Sequence, residues 1–490
     1  MNGLWVLLII ATYFAALLVI SRITGGKDGD SNDAFFLGNR QSPWYIVSIS
    51  MIGASLSGVT FVSVPGMVRS IDMTYMQTVL GFFVGYIVIA RVLLPLYYNL
   101  RLTSIYAYLG KRIGPRAHLT GTSFFLLSKM IGAAARFYLV AVILQTYVFE
   151  AWGVPFAVTS LASVALVWAY TFRSGIKTIV WTDTVQCICF IGMLVMIIWS
   201  VGQKLGLDAD GLAYTIRTSA HFRIFEWSDL HSTQHFAKQF ISGIFITIVM
   251  TGLDQDMMQK NLSCRNLREA QRNMYTYGFL FTPVNFLFLS LGLLLLTLAS
   301  QQGIPLPSSS DDILPMFCAG DMLGGAMPVF FAIGIIAAAF SSADSALAAL
   351  TTAFCVDILR IEKEADEGRA RRIRRHTHIG MAVVFAVIIL AFKALNSRSV
   401  IDAIYMIASY TYGPLLGLFA FGLFTRRKPV DQRIPIVCIL SPIVCFALSM
   451  LAKRCFGYTF SYEMLMINAS ITFAGLWIGS EKGAMKADTC

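Results

Sequence analysis

The sequence predicts an all-α membrane protein with about thirteen transmembrane helices, on three observations. Hydrophobic residues make up 57% of the chain and charged residues 13%, about half the roughly 25% charged of an ordinary soluble domain. Apolar runs recur along the whole length, near the 20 residues that span a bilayer core of roughly 30 Å. These runs are long and continuous, whereas barrel strands would alternate in stretches of about ten. No stretch is polar enough for a separate soluble domain, so residues 1–490 form a single transmembrane domain, with a mean hydropathy of +0.68.

Taken in order, the segments are expected at 3–22, 44–70, 74–98, 118–148, 153–172, 176–203, 235–254, 272–300, 326–359, 377–395, 399–425, 433–452 and 461–480. The first lacks a basic leader and a small-residue cleavage site, so it reads as a helix and not a removed signal peptide. The net charge of +11 sits in short loops as a topology signal, so nucleic acid is not an expected partner. One set of loops holds Arg101, Lys111, Arg112 and Arg116, then Lys260, Arg265, Arg268 and Arg272, then Arg426, Arg427, Lys428 and Arg433. That set is cytoplasmic by the positive-inside rule. Residues 360–375 carry seven basic residues and fall on the same side, read as a solvated turn in preference to a lipid or partner site. Residues 301–325 have no basic residue and hold Asp311, Asp312 and Asp321, which puts them outside. An inner-membrane protein with its amino terminus outside and its carboxyl terminus cytoplasmic follows.

Nine cysteines lack the clustered spacing of a metal site and read as small core hydrophobes. The pairs His231/His235 and His376/His378 read as solvated loop histidines, because no carboxylate or cysteine stands at ligand spacing.

Polarity inside the membrane is costly and points to function. The second span carries Gly53 and Gly58 amid Ser48, Ser50, Ser55 and Ser57, followed by Thr60. Two readings stand: a helix break near residues 53–58 whose freed backbone the hydroxyls satisfy, or small-residue packing between helices. The ninth span places Ser341, Ser342, Asp344 and Ser345 on one broad face. Oxygen ligands of this kind suit a hard cation, and the alternative is a hydrogen-bonded helix contact with a protonated aspartate. Asp183 in the sixth span is either interfacial or a second negative ligand toward the same cation path. In the fourth span Lys129 and Arg136 share a face; Lys129 can snorkel toward water, whereas Arg136 is too deep. A buried guanidinium needs a partner, either a substrate carboxylate or a structural one.

A series of ordered motifs then resembles the sodium:solute symporters, the group with sodium/glucose, sodium/proline and sodium/sialic-acid transporters. They are Phe35-Phe36-Leu37-Gly38, Thr103-Ser104-Ile105 with Tyr108-Leu109 and Arg112-Ile113-Gly114, and Trp181-Thr182-Asp183 with Gln186. Asp254-Gln255 with Gln259 and Arg265, the 341–345 run, and Tyr412-Gly413-Pro414-Leu415-Leu416-Gly417 complete the series. The resemblance implies two inverted five-helix repeats, LeuT-like with broken helices, at 44–203 and 235–425, with 3–22, 433–452 and 461–480 as flanking helices. Such repeats hold their site at the midplane beside a broken helix. It implies a sodium site at Gly53, Leu56, Ala338, Ser341 and Ser342. A second sodium, held in some sialic-acid-transporting members, maps to Asp183, Ser341 and Ser345, with Asp344 standing where those members have serine. Ser57 and Thr60 fall at substrate-touching positions, with Gln77 and Arg136 as rough counterparts of others.

The implied function is sodium-coupled import of a small polar solute, an acidic sugar such as sialic acid or another small carboxylate. Expected partners are that solute, Na+ ions and membrane lipid, and the starting expectation is a monomer. A neutral-sugar or amino-acid symporter and a proton-coupled carrier, the latter on account of Asp344, are the alternatives. A membrane sensor is set aside on the short stretch after Gly479, and an enzyme is not expected.

Overall fold

In lipid every backbone N–H and C=O must be satisfied within its own segment, so apolar runs become helices. In a computed structural model that describes residues 3–25, 31–172, 175–229, 232–394, 400–458, 460 and 462–481, each expected segment coincides with helix. The principal helices are α1 (Gly3–Gly25), α2 (Trp44–Ser55), α3 (Gly58–Ile71), α4 (Tyr75–Asn99) and α5 (Pro115–Leu144). Next come α6 (Phe156–Thr171), α7 (Ile176–Leu205), α8 (Phe236–Gly252), α9 (Gln255–Leu262) and α10 (Leu267–Gln302). The last are α11 (Met327–Ala353), α12 (Glu367–Ala394), α13 (Val400–Phe424), α14 (Ile434–Phe456) and α15 (Glu463–Ile478). Seven described helices are long and apolar enough to cross a membrane alone, and two pairs, α2 with α3 and α8 with α9, do so together across bends of 65° each. In α1, α6, α13 and α15 the described apolar stretches are shorter, at 10–17 residues.

The first bend has a local cause. Leu56 leaves helical geometry at φ −84°, ψ 80°, and Ser57 restarts the chain as the N-cap of α3, its Oγ accepting from Thr60 N at 3.4 Å. Gly58 permits close packing there, since a Cβ on it would lie 2.3 Å from Val140 Cγ2. Of the two readings of this span, the break is the one the chain adopts. The second bend is a correction to the expected straight run at 235–254. The chain turns at Leu253, and Asp254 caps α9 by accepting from Asp256 N at 2.9 Å. All eight residues of α9 are buried, five of them polar or charged: Gln255, Asp256, Gln259, Lys260 and Asn261.

Three further expectations are corrected. Lys260 is a fully buried helix residue and not a cytoplasmic loop charge. Most of the basic 360–375 segment is helical, within α12, and Arg374 is buried with its guanidinium 4.7 Å above the Phe35 ring and a bond to Ser31 O at 2.9 Å. His378 lies in the same helix, buried between Thr171 and Thr351, and His235 caps α8; His231 falls outside the described residues.

Helices α2 and α11 both pack on α7, and α3 packs on α10. Phe61, Phe190, Phe288 and Phe331 interlock above the first bend. Across the α4–α8 contact glycines let backbones touch: a Cβ on Gly81 would meet Phe240 O at 2.2 Å, and one on Gly243 would meet Thr78 O at 2.3 Å. Small residues drive this kind of association in lipid.

Candidate functional site: a cation cluster behind a solute cavity

A helix that stops leaves its last carbonyls without the N–H groups of a following turn. At the end of α2 these are the carbonyls of residues 53–56, and α11 presents hydroxyls to them. Ser342 Oγ reaches Ala54 O at 3.4 Å while also bonding Ala338 O at 3.2 Å, one turn back on its own helix. Gly53 is pressed against the same region, since a Cβ there would lie 3.3 Å from Ser341 Oγ and 3.0 Å from Asp183 O. The structure thus brings Gly53 and Ala54, at the end of α2, against Ala338, Ser341 and Ser342 of α11, with Leu56 at the break itself. Carbonyl and hydroxyl oxygens at the end of a discontinuous helix are the donor set that a hard monovalent cation takes.

Directly behind them Asp183 is fully buried, which overturns the interfacial alternative. Its Oδ1 accepts from Ser341 Oγ at 2.7 Å, and its Oδ2 from Ser50 Oγ at 3.1 Å, Ser345 Oγ at 3.2 Å and Lys260 Nζ at 2.5 Å. Three of these four donors crowd Oδ2, while Oδ1 accepts from Ser341 alone. The positive charge resting on Asp183 is the ammonium of Lys260, a residue that the reading of loops by charge had removed from consideration. Asp344 turns elsewhere, accepting from Tyr170 Oη at 2.9 Å and so tying α11 to α6.

On the other side of the bend lies a cavity of about 190 Å³ whose walls include Ser57, Thr60, Arg136 and Ser342. Hydroxyl and aromatic side chains dominate its lining, among them Tyr75, Phe82, Tyr86, Tyr277 and Phe281. Ser342 belongs to both the cavity wall and the oxygen cluster. The lining holds two cations and two carboxylates. Lys129 does not snorkel: its Nζ sits 3.1 Å from Asp254 Oδ2 and 2.7 Å from Asp256 Oδ2, and Tyr412 Oη donates to Asp254 at 2.9 Å. Arg136 is half-buried and, among the described residues, has no hydrogen-bond or ion-pair partner. Its guanidinium is the one charged side chain of the described lining without a hydrogen bond or ion pair.

Gln77 is not brought to the cavity. It is fully buried, with its amide nitrogen bonded to Gln234 O at 2.9 Å and Thr74 O at 3.2 Å and its oxygen accepting from Glu226 N at 3.1 Å. Its work is to hold Glu226 and Gln234 to α4. Asp254 and Asp256 were missed as cavity residues, although two aspartates beside the apolar run that ends at Leu253 were the available signal.

Two broken helices, a solute cavity against the first break and an oxygen cluster behind it define a secondary transporter with discontinuous helices. The chain belongs to the sodium:solute symporter family, whose profile matches residues 35–430, and Na+ is its coupling ion. It is 25% identical to the sodium/sialic acid symporter SiaT of Proteus mirabilis (strain HI4320), over 85% of this chain and 84% of that one. It is 24% identical to the sodium/glucose cotransporter of Vibrio parahaemolyticus, over 96% and 90%. Among solved structures, the substrate-bound outward-open state of a Na+-coupled sialic acid symporter superposes with a TM-score of 0.83 at 21% identity, covering 98% and 99%. The nucleobase-cation-symport-1 family transporter Mhp1, in a closed conformation, gives 0.58 at 13% identity over 91% and 94%. These two likenesses show the fold.

Proposed function

We propose that this chain imports a small acidic sugar such as sialic acid, one Na+ per solute, across an inner membrane. The carrying observation is Arg136, a cation without a hydrogen-bond or ion-pair partner among the described residues, in a cavity rich in hydroxyls and aromatic rings whose other charges, Lys129, Asp254 and Asp256, are joined to one another. A guanidinium matches a carboxylate bidentately, and the rings and hydroxyls suit the faces and edges of a sugar. The sialic acid symporters among the chain's relatives support the same choice. One sodium per cycle is favoured because Lys260 already fills the charge requirement of Asp183.

The cycle begins when Na+ from outside binds the oxygens of Gly53, Leu56, Ala338, Ser341 and Ser342 and joins the first break to α11. The solute then docks on Ser57 and Thr60 with its carboxylate on Arg136. Occlusion and inward opening follow as 44–203 and 235–425, taken as inverted repeats within a thirteen-span chain, rock against each other. One bend in each half, with nine longer spans and four shorter apolar helices, supports that arrangement. The amino terminus lies outside and the carboxyl terminus inside, on the charge of the loops that remain once Lys260 is withdrawn from the count.

Reconstituted protein should accumulate labelled sialic acid under an inward sodium gradient and not under choline, and Ser342→Ala should raise the sodium concentration for half-maximal uptake. Uptake without sodium dependence sinks the mechanism. Sodium-driven uptake of lactate or glucose in place of sialic acid sinks the solute assignment alone.

A further inference from the structure

Helix α9 is short, wholly buried and polar, an arrangement that costs free energy unless its groups are paired. Its pairings run in two directions. At its start, Asp254 and Asp256 hold Lys129 of α5, in the wall of the solute cavity. One turn later on the same face, Lys260 holds Asp183 of α7 at 2.5 Å, and Asp183 in turn holds Ser341 of the sodium cluster at 2.7 Å. Charges therefore alternate in sign from Lys129 through Asp256 and Lys260 to Asp183, with ion pairs at the two ends and one turn of α9 between them. The helix between them is stiffened from the sides. Gln255 bonds Thr103 O at 3.0 Å and Ile105 N at 2.9 Å, Gln259 bonds Phe36 O at 2.7 Å and Thr352 Oγ1 at 2.9 Å, and Asn261 accepts from Asn273 at 2.8 Å.

We propose that Lys129 and Lys260 are positioning residues through which the solute cavity and the sodium site sense each other, with α9 as the rigid strut between them. This rests on the sodium site proposed above. Coupling between two ligands requires an element that both bias, and α9 touches the surroundings of both. Asp256 Oδ1 has no hydrogen-bond partner and its residue lines the cavity, so a solute hydroxyl that reaches it addresses the same carboxylate that holds Lys129. Drawing Asp256 toward solute shifts α9 along its axis, moves Lys260 against Asp183 and resets Ser341. Breaking the far end of the strut should therefore alter sodium binding without touching a sodium ligand.

The test needs no solute. Purified protein is titrated with NaCl at constant ionic strength in choline chloride, and the sodium concentration for half-maximal thermal stabilisation is read for each variant. Lys129→Met should raise it at least about threefold, within the range found for substitutions along coupled networks, and Lys129→Arg should restore it. Arg136→Met removes the same charge from the same cavity but breaks no pair, and should stay within about 1.5-fold, below the smallest effect counted as coupling. Tyr412→Phe, which deletes only the hydroxyl on Asp254, should move the value in the direction of Lys129→Met, so the proposal can be tested even where that variant does not fold. An unchanged sodium response in both Lys129→Met and Tyr412→Phe, or an equal shift in Arg136→Met, overturns the strut. A chain that in its unaltered form does not respond to sodium overturns the sodium site on which the strut rests.

Discussion

Removing one partner of a buried ion pair leaves a charge that neither water nor protein satisfies, whereas removing both can be nearly neutral. Lys260 and Asp183 are both wholly inaccessible, so the contrast between the two cases should be large here. Lys260→Met should cost about 3–5 kcal/mol of stability, read from denaturant or thermal unfolding in detergent, and Asp183→Asn with Lys260→Met should recover most of it. A double variant as unstable as the single one would mean that the pair is held by packing and not by charge. The same residue marks a limit of reading by charge. Basic residues near span ends are counted as loop signals regardless of burial, and nothing local to Lys260 distinguishes it from its neighbour Arg265, which is exposed.

At the scale of helices, the first break was legible as one of two readings and the second was not legible at all, for opposite reasons. Gly53 and Gly58 amid serines lower helix propensity inside an apolar run, which is a visible anomaly. The second break occurs where the run turns polar at Asp254, so α9 has the composition of a loop; its partners are up to 224 residues away in sequence, as with Gln259 and Phe35, and no local pattern announces them. Ser57, Thr60, Ser341 and Ser342 were found because they interrupt apolar sequence, whereas Gln77, anchored on the 219–229 segment at Glu226 N, had no spacing to fix its register. That segment also carries a pH prediction. The Ser228 hydroxyl and N–H, then the Arg223 guanidinium, hold the Glu226 carboxyl below the usual carboxylate range. A carboxyl lowered by folding stabilises above its unfolded value, near 4.3, and loses that contribution as pH falls through the folded one. Hydrogen exchange over residues 219–229 should therefore be flat from pH 8 to 6, once corrected for intrinsic rates, and should accelerate only in acid below the ordinary glutamate range. Glu226→Gln should lose the acid step, and loosening between pH 7 and 6 would assign the control to another group.

For the whole molecule, the charges of the two sites decide what energy the cycle can use. A carboxylate on Arg136 travelling with one Na+ carries no net charge, so the membrane potential does no work on the loaded carrier. With two Na+ per solute one charge would cross, worth about 2.3 kcal/mol per 100 mV, or roughly fifty-fold in accumulation. The one-sodium cycle proposed above rests on Lys260, whose ammonium meets the charge of Asp183 in this structure. Proteoliposomes given the same sodium gradient, with and without a 100 mV inside-negative potassium diffusion potential, should reach the same steady-state ratio of sialic acid within about twofold, far short of the value for one transported charge. A rise toward fifty-fold would mean that a second mobile cation accompanies the solute despite Lys260, and that the cluster around Asp183 admits an ion beside the ammonium.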